Sequence, residues 1–546
     1  MSLAHAVVLS GDVLTSNDLM TIVRSSPLFY KSYSFTAYPP GTHFYHAHQS
    51  MLMADGITGM IVVKPTSAET EQTIEYDEER QFFMNDWYHV TSDQQVAGLL
   101  SDPFVWVGNP DSILINGKAI WFECQQGGQF FNNTAFCLDT CSNTSSLLET
   151  IHVEEGKKYR LRIVNSGSLV AMNVAIKDHN LTIVEADGTP TSPVEVSSLD
   201  ITPGQRYSVI LNADQEPMSY WMQVTVRYRD MPNVTGLAIL HYHESGEIEV
   251  PPLDELPQNV AWNDTEYGRN VDRMLRTLDK SAYPESIALD AEVVKRLILV
   301  STQAKAYNTS EIVWAINNVS STAMSLPEPL IMTSVVTAKE LGWPSPIEGT
   351  VDVPEAPPLT WNYSDTVFEE NGPGVTAGSR EPLVLRLTKG EVVEFIMQNT
   401  RALNNVSEVH PWHIHGHSFW IVGQGNGTFD PNTDIANFNL NDPLLRDTAD
   451  MFPLGWTAMR FYADNPGVWL FHCHIAAHAV LGMGLVIITQ PDEVSLPPPG
   501  AMACANSSLQ EAALRSSSAV APQHNMIGAL FAIASFLFVT LESFVF

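Results

Sequence analysis

Short apolar runs rich in β-branched and aromatic residues recur along the chain and are bounded by turn residues. Examples lie at 59–65 (GMIVVKP), 159–164 (YRLRIV), 221–228 (WMQVTVRY), 383–387 (LVLRL) and 485–489 (LVIIT). Runs of this length are typical of strands, and no long segment with a period of 3.6 residues lies between them. The pattern therefore predicts an all-β protein built from sandwiches rather than from βαβ units.

The strand pattern is interrupted at 246–290, where Pro, Asp and Glu are frequent, and we interpret this segment as a linker. On either side of it we predict a second domain at 71–245 and a third domain at 291–505. A partial first domain is expected at 1–70. A polar spacer followed by an apolar C-terminal segment occupies 506–546.

Two segments of the chain align with each other without a gap, which indicates an internal repeat of one strand-and-turn unit. The matching positions are Pro40 and Pro466, Gly41 and Gly467, His46 and His472, His48 and His474, and Gly56 and Gly482. The positions that differ in chemistry are Ala47 and Cys473, Leu52 and His478, and Ile57 and Met483. Only the second copy therefore carries soft metal ligands.

The composition supports a large folded protein with an acidic surface. A chain of 546 residues, 45% of them hydrophobic, is long and apolar enough for about three domains with packed cores. The 28 Lys and Arg residues against 61 Asp and Glu residues give a net charge of −33. Because this charge repels phosphate backbones, nucleic acid is excluded as a partner.

Asn-x-Ser/Thr sequences, the acceptor motif for N-linked glycans, are frequent and predict an extracellular, glycosylated protein. The apolar stretch 526–546 resembles a GPI-attachment signal, with a single membrane-spanning anchor as the alternative, so a membrane contact is expected only through this tail. Residues 1–11 lack the basic region of a signal peptide, so we expect upstream sequence to be absent. The eleven asparagines are Asn132, Asn143, Asn180, Asn233, Asn263, Asn308, Asn318, Asn362, Asn405, Asn426 and Asn506.

Candidate metal ligands are concentrated in two motifs, HPWHIHGH at 410–417 and FHCHIAAHAVLGM at 471–483. Alternate side chains of a strand face opposite ways, so Cys473 points away from His472 and His474. One strand thus serves two sites. A thiolate, two imidazoles and a thioether suit a blue copper site, and Cys473, His478, Met483 and one histidine of HPWH supply them.

The remaining imidazoles form a nitrogen-rich cluster on the other face of the strand. Its members are His46, His48, His413, His415, His472 and His474. Zinc would not need the methionine, and an iron–sulfur cluster would need more cysteines. We interpret His43, His241, His243 and His417 as ordinary packed residues.

These motifs, with FYHAH upstream, resemble the multicopper oxidases, and VEADG at 184–188, WAINNVS at 314–320 and LRDTADMFPLGWTAMRFYADNPGVWLFHCHI at 445–475 resemble their ascorbate-oxidase branch. The resemblance covers about 34–505. It implies three cupredoxin-like Greek-key β-sandwich domains, the first incomplete here. It also implies a type 1 copper in the last domain and a trinuclear copper cluster between the first and last domains.

The resemblance assigns roles residue by residue. Its type 1 ligands match His410, Cys473, His478 and Met483, its type 2 ligand matches His413, and its type 3 ligands match His46, His48, His415, His472 and His474. Electrons are expected to enter through His478 and to pass from Cys473 through His472 and His474 to the cluster. Trp106 and Trp314 match aromatic residues that hold the substrate.

The chain departs from the family pattern in its first domain. The HWHG motif is absent, so six of the eight cluster histidines that the resemblance expects are present. The resemblance pairs Cys124 with Cys137 in a disulfide and leaves Cys141 and Cys504 without their partners. We interpret these departures as a truncated N-terminus.

The predicted function is oxidation of a small reductant, with ascorbate favoured, coupled to reduction of dioxygen to water. A laccase-like phenol oxidase and a ferroxidase are alternatives within the same class. If the short N-terminus is real, the alternative is a non-oxidase cupredoxin surface protein with only a type 1 copper.

Overall fold

The computed structural model describes residues 7–10, 39–65, 75–119, 148–306, 311–321, 330–358 and 382–494. The predicted disulfide between Cys124 and Cys137 and the C-terminal segment 506–546 lie outside these ranges. Within them, no helix is both long enough and apolar enough to cross a membrane.

The first group of strands forms a three-stranded antiparallel sheet in the order β1-β2-β3. Strand β2 has the sequence GTHFYHA, and all its residues except Tyr45 are buried. The strand that carries His43 and His46 is therefore covered by the rest of the protein. The bounds are β1 (Val7–Ser10), β2 (Gly41–Ala47) and β3 (Thr58–Val63).

The second group forms a six-stranded sheet, β10-β9-β12-β7-β4-β5, and a five-stranded sheet, β11-β8-β13-β14-β6. Side chains of both sheets join one apolar core, as a sandwich requires. The bounds are β4 (Glu78–Trp87), β5 (Ser112–Ile115), β6 (Glu149–Val153), β7 (Lys158–Asn165), β8 (Ala171–Ile176), β9 (Leu181–Ala186), β10 (Thr189–Val196), β11 (Ser198–Ile201), β12 (Arg206–Asn212), β13 (Ser219–Arg227) and β14 (Thr235–Tyr242).

The third group forms two six-stranded sheets, β16-β15-β19-β24-β21-β22 and β17-β18-β26-β25-β20-β23. The strand β25, which carries Cys473, lies between β26 and β20. The bounds are β15 (Lys295–Lys305), β16 (Ile312–Ile316), β17 (Val351–Asp352), β18 (Leu383–Leu387), β19 (Val392–Gln398), β20 (His410–Ile414), β21 (Phe419–Asn426), β22 (Leu444–Arg446), β23 (Thr448–Met451), β24 (Gly455–Tyr462), β25 (Gly467–Cys473) and β26 (Gly484–Thr489).

Helices connect the strands at places where the sequence pattern predicted none. The segment interpreted as a linker, 246–290, contains α2, whose first turn is capped because the Asp264 carboxylate accepts a hydrogen bond from the Tyr267 amide at 3.1 Å. The bounds are α1 (Ser92–Leu99), α2 (Thr265–Met274), α3 (Ile287–Asp290), α4 (Leu330–Leu341) and α5 (Ala476–Val480). Short 3₁₀ turns include Leu52–Asp55, His243–Ser245, Leu253–Glu255, Lys280–Ala282, Pro284–Ser286, Ile435–Asn437 and Pro491–Glu493.

The second and third groups of strands are joined by buried ion pairs. Arg206 donates to both carboxylate oxygens of Asp447 at 2.6 and 2.7 Å. Arg446 donates to Asp187 at 2.8 Å. Since these charges are removed from water, each depends on its partner, and the pairs fix how the two groups meet. The second group lies within the predicted range 71–245 and the third within 291–505, while the boundaries themselves stay a prediction.

Candidate metal centre

Three buried donor atoms from three elements converge at the end of β25. The Cys473 sulfur lies 3.8 Å from Nδ1 of His410 and 3.6 Å from Nδ1 of His478, and these two nitrogens are 3.1 Å apart. His410 begins β20 and His478 lies in α5, so the strand pairing and the turn after β25 bring them together. Met483 follows α5, is fully buried, and accepts a hydrogen bond at its carbonyl from the Cys473 amide at 3.0 Å.

Burial controls the protonation of this set. It raises the pKa of the Cys473 thiol and lowers the pKa of His410 to about 3. The imidazoles are therefore neutral, which is the form that binds metals, while the thiol needs a cation in place of its proton to become a thiolate. The donor set, one sulfur and two imidazole nitrogens beside a thioether, fits copper in a trigonal site with a weak axial ligand.

Aromatic and charged side chains surround the outer edge of His478. The Trp314 ring centroid is 4.9 Å from that of His478, and Trp314 is only 2% exposed. Trp106 is partly exposed, with its ring centroid 6.0 Å from that of His478. Arg229 lies over the Trp106 ring at 5.5 Å and forms an ion pair with Glu408, whose Oε2 is 3.8 Å from Nε2 of His478.

Arg229 and Glu408 were not found by sequence reasoning. Glu408 stands two residues before His410, so its proximity to the motif was a usable signal. Arg229 lies in the loop between β13 and β14, far from any motif in the sequence, and no local signal marks it.

The other imidazoles meet behind β25, on the face opposite Cys473. Nε2 of His472 is 3.2 Å from Nε2 of His48 and 3.3 Å from Nε2 of His415. The ring centroids of His46 and His413 are 5.0 and 5.6 Å from that of His474. All six predicted cluster histidines are thus brought together, from β2, β20 and β25 and the residues just after them.

Backbone carbonyls orient several of these rings through the nitrogen that faces away from the cluster. Nδ1 of His46 is 3.1 Å from the carbonyl oxygen of Ala47, and Nδ1 of His472 is 2.9 Å from that of Cys473. Nδ1 of His413 is 2.9 Å from the carbonyl oxygen of Asp447. A proton held on Nδ1 leaves the Nε2 lone pair free for a metal ion, which is how supporting carbonyls prepare histidine ligands.

Burial and mutual repulsion lower the pKa values of five histidines of this cluster. Burial, followed by the nearby His48, lowers the pKa of His46 to about 3, and burial, followed by His413, lowers that of His48 to about 4. The pKa values of His415, His472 and His474 are lowered for the same reasons. A group of neutral imidazoles with converging nitrogens fits copper ions that bind nitrogen ligands.

Two histidines that we interpreted as ordinary packed residues have protein partners away from both sets. Nδ1 of His241 is 3.0 Å from the Ser219 hydroxyl, and Nε2 of His43 is 3.0 Å from the Pro39 carbonyl oxygen. His417 packs edge-on against Trp469 with its Nδ1 3.2 Å from the His415 carbonyl oxygen.

A buried thiol with two imidazoles lies back to back with an imidazole cluster on one strand, and both donor sets suit copper. Three family models, each described as multicopper oxidase, match residues 21–68, 78–245 and 352–493. The first match begins earlier than the expected start of the resemblance at 34, in a stretch without a copper motif to reveal it.

Relatives with known names agree with this class. An L-ascorbate oxidase of Cucumis sativus is 36% identical over 480 residues, which cover 88% of this chain and 78% of the relative. Laccase-2 of Oryza sativa is 33% identical over 477 residues, covering 84% of this chain and 77% of the relative. The chain belongs to the multicopper oxidase family, whose members are copper-dependent oxidoreductases.

Solved structures confirm the predicted fold. The crystal structure of Fet3p, a multicopper oxidase that functions in iron import, superposes with a TM-score of 0.65 at 22% identity, covering 94% of this chain and 85% of that one. A laccase from Botrytis aclada gives a TM-score of 0.61 at 22% identity, covering 96% and 84%. The all-β, cupredoxin-like architecture expected from the sequence is therefore correct.

Proposed function

We propose that this protein oxidises a small reductant, with ascorbate as the favoured donor, and passes the electrons to dioxygen, which is reduced to water. The observation that carries the proposal is the position of Cys473, whose sulfur meets His410 and His478 within 3.8 Å while the neighbouring His472 faces the imidazole cluster. The two sites are therefore linked by one short stretch of covalent backbone.

Each ligand role is part of the proposal. His410, Cys473, His478 and Met483 would hold type 1 copper. His413 holds type 2 copper, and His46, His48, His415, His472 and His474 hold type 3 copper. Bound copper supplies a one-electron couple at the first site and the reduction of dioxygen at the second.

The chain's own residues determine the route. Nε2 of His478 is the ring nitrogen that points toward Glu408, whereas Nδ1 faces Cys473, so we place the entry of electrons at the Nε2 edge. Cys473 is bonded through the backbone to His472 and His474, which lie in the cluster. The burial of both sets excludes water from the path, and the neutral imidazoles keep their lone pairs available.

The local charge at this edge does not exclude ascorbate, although ascorbate is an anion. The net charge of −33 would repel an anion, but the Arg229 guanidinium lies over Trp106 and neutralises Glu408. Trp106 offers a partly exposed ring for a planar donor. Trp314 is buried, so its proposed contribution is to hold His478. The L-ascorbate oxidases among the relatives support the same donor.

Oxygen uptake by the copper-loaded protein tests the proposal. With ascorbate we expect dioxygen consumption without hydrogen peroxide, at four one-electron oxidations for each dioxygen. Trp106→Ala should raise the KM for ascorbate about tenfold, a loss of about 1.4 kcal/mol, and leave the rate with ferrocyanide unchanged. The proposal fails if ascorbate bleaches the blue absorption while no dioxygen is consumed.

We also propose an extracellular, glycosylated location with attachment through the C-terminal segment 506–546, either as a GPI anchor or as a single span. The proposal is supported by the frequent glycan acceptor motifs and by the apolar tail. Release of the protein from intact cells by a phosphatidylinositol-specific phospholipase would support the GPI form, and retention in the membrane fraction would support the span.

A further inference from the structure

Five glycan acceptor asparagines in the described ranges have exposed side chains, and three of them stand in loops that contain, or are hydrogen-bonded next to, Arg229 or Glu408. Exposure matters because an N-linked glycan is a bulky surface group. We call the partly exposed opening formed by Trp106, Arg229 and Glu408 in front of His478 the donor mouth. The five asparagines are Asn180, Asn233, Asn263, Asn405 and Asn426.

Asn233 shares the loop between β13 and β14 with Arg229. The loop is tight, since the Met231 amide donates to the Arg229 carbonyl at 3.1 Å and the Val234 amide donates to the Met231 carbonyl at 3.1 Å. Four residues span at most about 14 Å, so Asn233 lies no farther than that from Arg229 along the chain.

Asn405 lies three residues before Glu408, a chain distance of at most about 11 Å. It has a φ of +66°, and its amide donates to the Ala402 carbonyl at 2.8 Å, which places it in a turn with its side chain exposed. The Leu454 amide donates to the Ser407 hydroxyl at 3.0 Å, so the turn is fixed to the body of the protein.

Asn263 belongs to a loop that is fastened to the same hairpin end. The Tyr228 amide, next to Arg229, donates to the Trp262 carbonyl at 2.7 Å. The Arg227 guanidinium donates to the Asp264 carbonyl at 2.6 Å. Asn263 stands between these two anchored residues and is exposed, so its position relative to the donor mouth is fixed by backbone contacts.

We infer that Asn233, Asn263 and Asn405 carry N-linked glycans that stand around the donor mouth and restrict electron donors to small molecules. Three anchored loops approach the mouth and each presents an exposed acceptor asparagine. A glycan at each position would keep a protein or a polymer away from His478, while ascorbate would pass. The inference deepens the proposed function, on which it rests for His478 as the point of electron entry.

Asn180 provides a matched control, because it is exposed but lies at the other end of β14. Nε2 of the neighbouring His179 is 2.8 Å from the hydroxyl of Tyr242, the last residue of β14. The loop that carries Asn233 leads instead into the first residue of that strand. Seven steps along a strand separate the two ends by about 24 Å. A glycan at Asn180 is therefore remote from the donor mouth.

Glycopeptide mapping by mass spectrometry of the full chain secreted from eukaryotic cells tests the modification directly. We expect glycans at Asn233, Asn263 and Asn405. Peptides in which these three asparagines are unmodified would overturn the inference, whatever the activity of the protein.

Anaerobic bleaching of the blue absorption tests the restriction on donors and does not require a working oxygen site. Ascorbate and ferrocytochrome c are the two probes. Ferrocytochrome c loses one electron from its haem iron, and the type 1 copper gains it. The triple variant Asn233→Gln, Asn263→Gln and Asn405→Gln should react with ferrocytochrome c about tenfold faster than the wild type, through faster association, and with ascorbate at an unchanged rate.

Asn180→Gln should leave both bleaching rates unchanged, and native removal of glycans by an endoglycosidase should reproduce the triple variant. Equal rates with ferrocytochrome c before and after removal of the three glycans would overturn the restriction. If ascorbate bleaches no variant, the proposed function fails together with the restriction, while the glycan positions are still decided by the mapping.

Discussion

The two copies of the internal repeat have the same backbone and different chemistry. In the first, His46 pairs with Thr58 across the hairpin, and in the second His472 pairs with Gly484 at the equivalent position. The Ala47 amide donates to the Ile57 carbonyl at 2.9 Å, as the Cys473 amide donates to that of Met483 at 3.0 Å.

The turns agree as closely as the strands. Gly56 and Gly482 have φ values of 84° and 105°, in a region that favours glycine, and both accept a hydrogen bond from the amide two residues later, at 2.9 and 3.0 Å. A shared backbone therefore places the shared histidines in the cluster. The second copy has Cys473, His478 and Met483 where the first has Ala47, Leu52 and Ile57, and together with His410 they form the candidate second metal site.

Replacing Cys473 by alanine gives the second copy the residue of the first, and we expect the largest effect here. Cys473→Ala removes the sulfur donor and the link to His472, so the blue absorption should vanish and oxygen uptake with ascorbate should fall more than about a thousandfold. Ala47→Cys is the control, because without an imidazole at Leu52 it should create no second blue site. A blue absorption retained by Cys473→Ala would mean that another residue supplies the thiolate.

Removing a histidine that both copies share should separate the two sites. His48→Ala takes one nitrogen from the cluster and leaves the type 1 set untouched. Oxygen uptake should fall more than about a hundredfold. Loss of a residue that only hydrogen-bonds to a ligand costs about 10–100-fold, and His48 is itself a proposed ligand. Ascorbate should still bleach the blue absorption anaerobically. A variant that loses both properties would show that His48 supports the type 1 site as well.

Exchanging Met483 for the Ile57 of the first copy should change the type 1 site without abolishing it. Met483→Ile removes a weak axial donor that favours oxidised copper, so the reduction potential should rise. The blue absorption should persist, and turnover should change by about tenfold or less, as measured by a redox titration and oxygen uptake. Met53→Ile, a core substitution in the first copy, should leave the potential unchanged, and an unchanged potential in Met483→Ile would exclude an axial role.

In each copy of the repeat a carboxylate also stabilises the turn after the histidine-bearing strand. Removing this carboxylate is expected to have the smallest effect. Asp86 accepts hydrogen bonds from the amides of Ser168 and Leu169, each at 2.7 Å, and the Ser168 carbonyl accepts one from Ala476 at the start of α5. Asp86→Asn should lower the free energy of unfolding by about 1.5–3 kcal/mol, because bonds to a buried charge are lost.

Thermal unfolding measures this change, with Asp55→Asn as the comparison. Asp55 lies in the turn of the first copy, is exposed, and accepts a hydrogen bond from the Ser92 amide at 2.8 Å. Water replaces part of a lost bond at an exposed site, so a smaller loss is expected there. Equal losses in the two variants would show that burial of Asp86 does not matter to its contribution.

Much of the candidate metal centre could be read from the sequence, because its ligands lie in short motifs on strands. Alternation along β25 separates Cys473 from His472 whatever surrounds the strand. The gap-free repeat predicted equivalent positions for His46 and His472, and both lie in the cluster. Reasoning from residue types alone left open which histidine of HPWH joins Cys473. The family resemblance pointed to His410, and the structure brings His410 there.

The helices and the residues around the outer edge of His478 were harder to predict from the sequence. Helix α2 lies in a segment rich in Asp and Glu. The residues that it buries could not be identified until the strands against which it packs were known. Trp314 was predicted to contact the substrate, yet it is 2% exposed, since the depth of a side chain depends on what covers it.

Spacing along the chain was sufficient for the fold class, the repeat and the two faces of β25, because strand periodicity acts over a few residues and needs no distant partner. The meetings of Arg229 with Glu408 and of Arg206 with Asp447 were decided only when the sheets packed. These pairs join residues that are far apart in sequence, and burial, charge pairing and the closure of the sandwiches select them together.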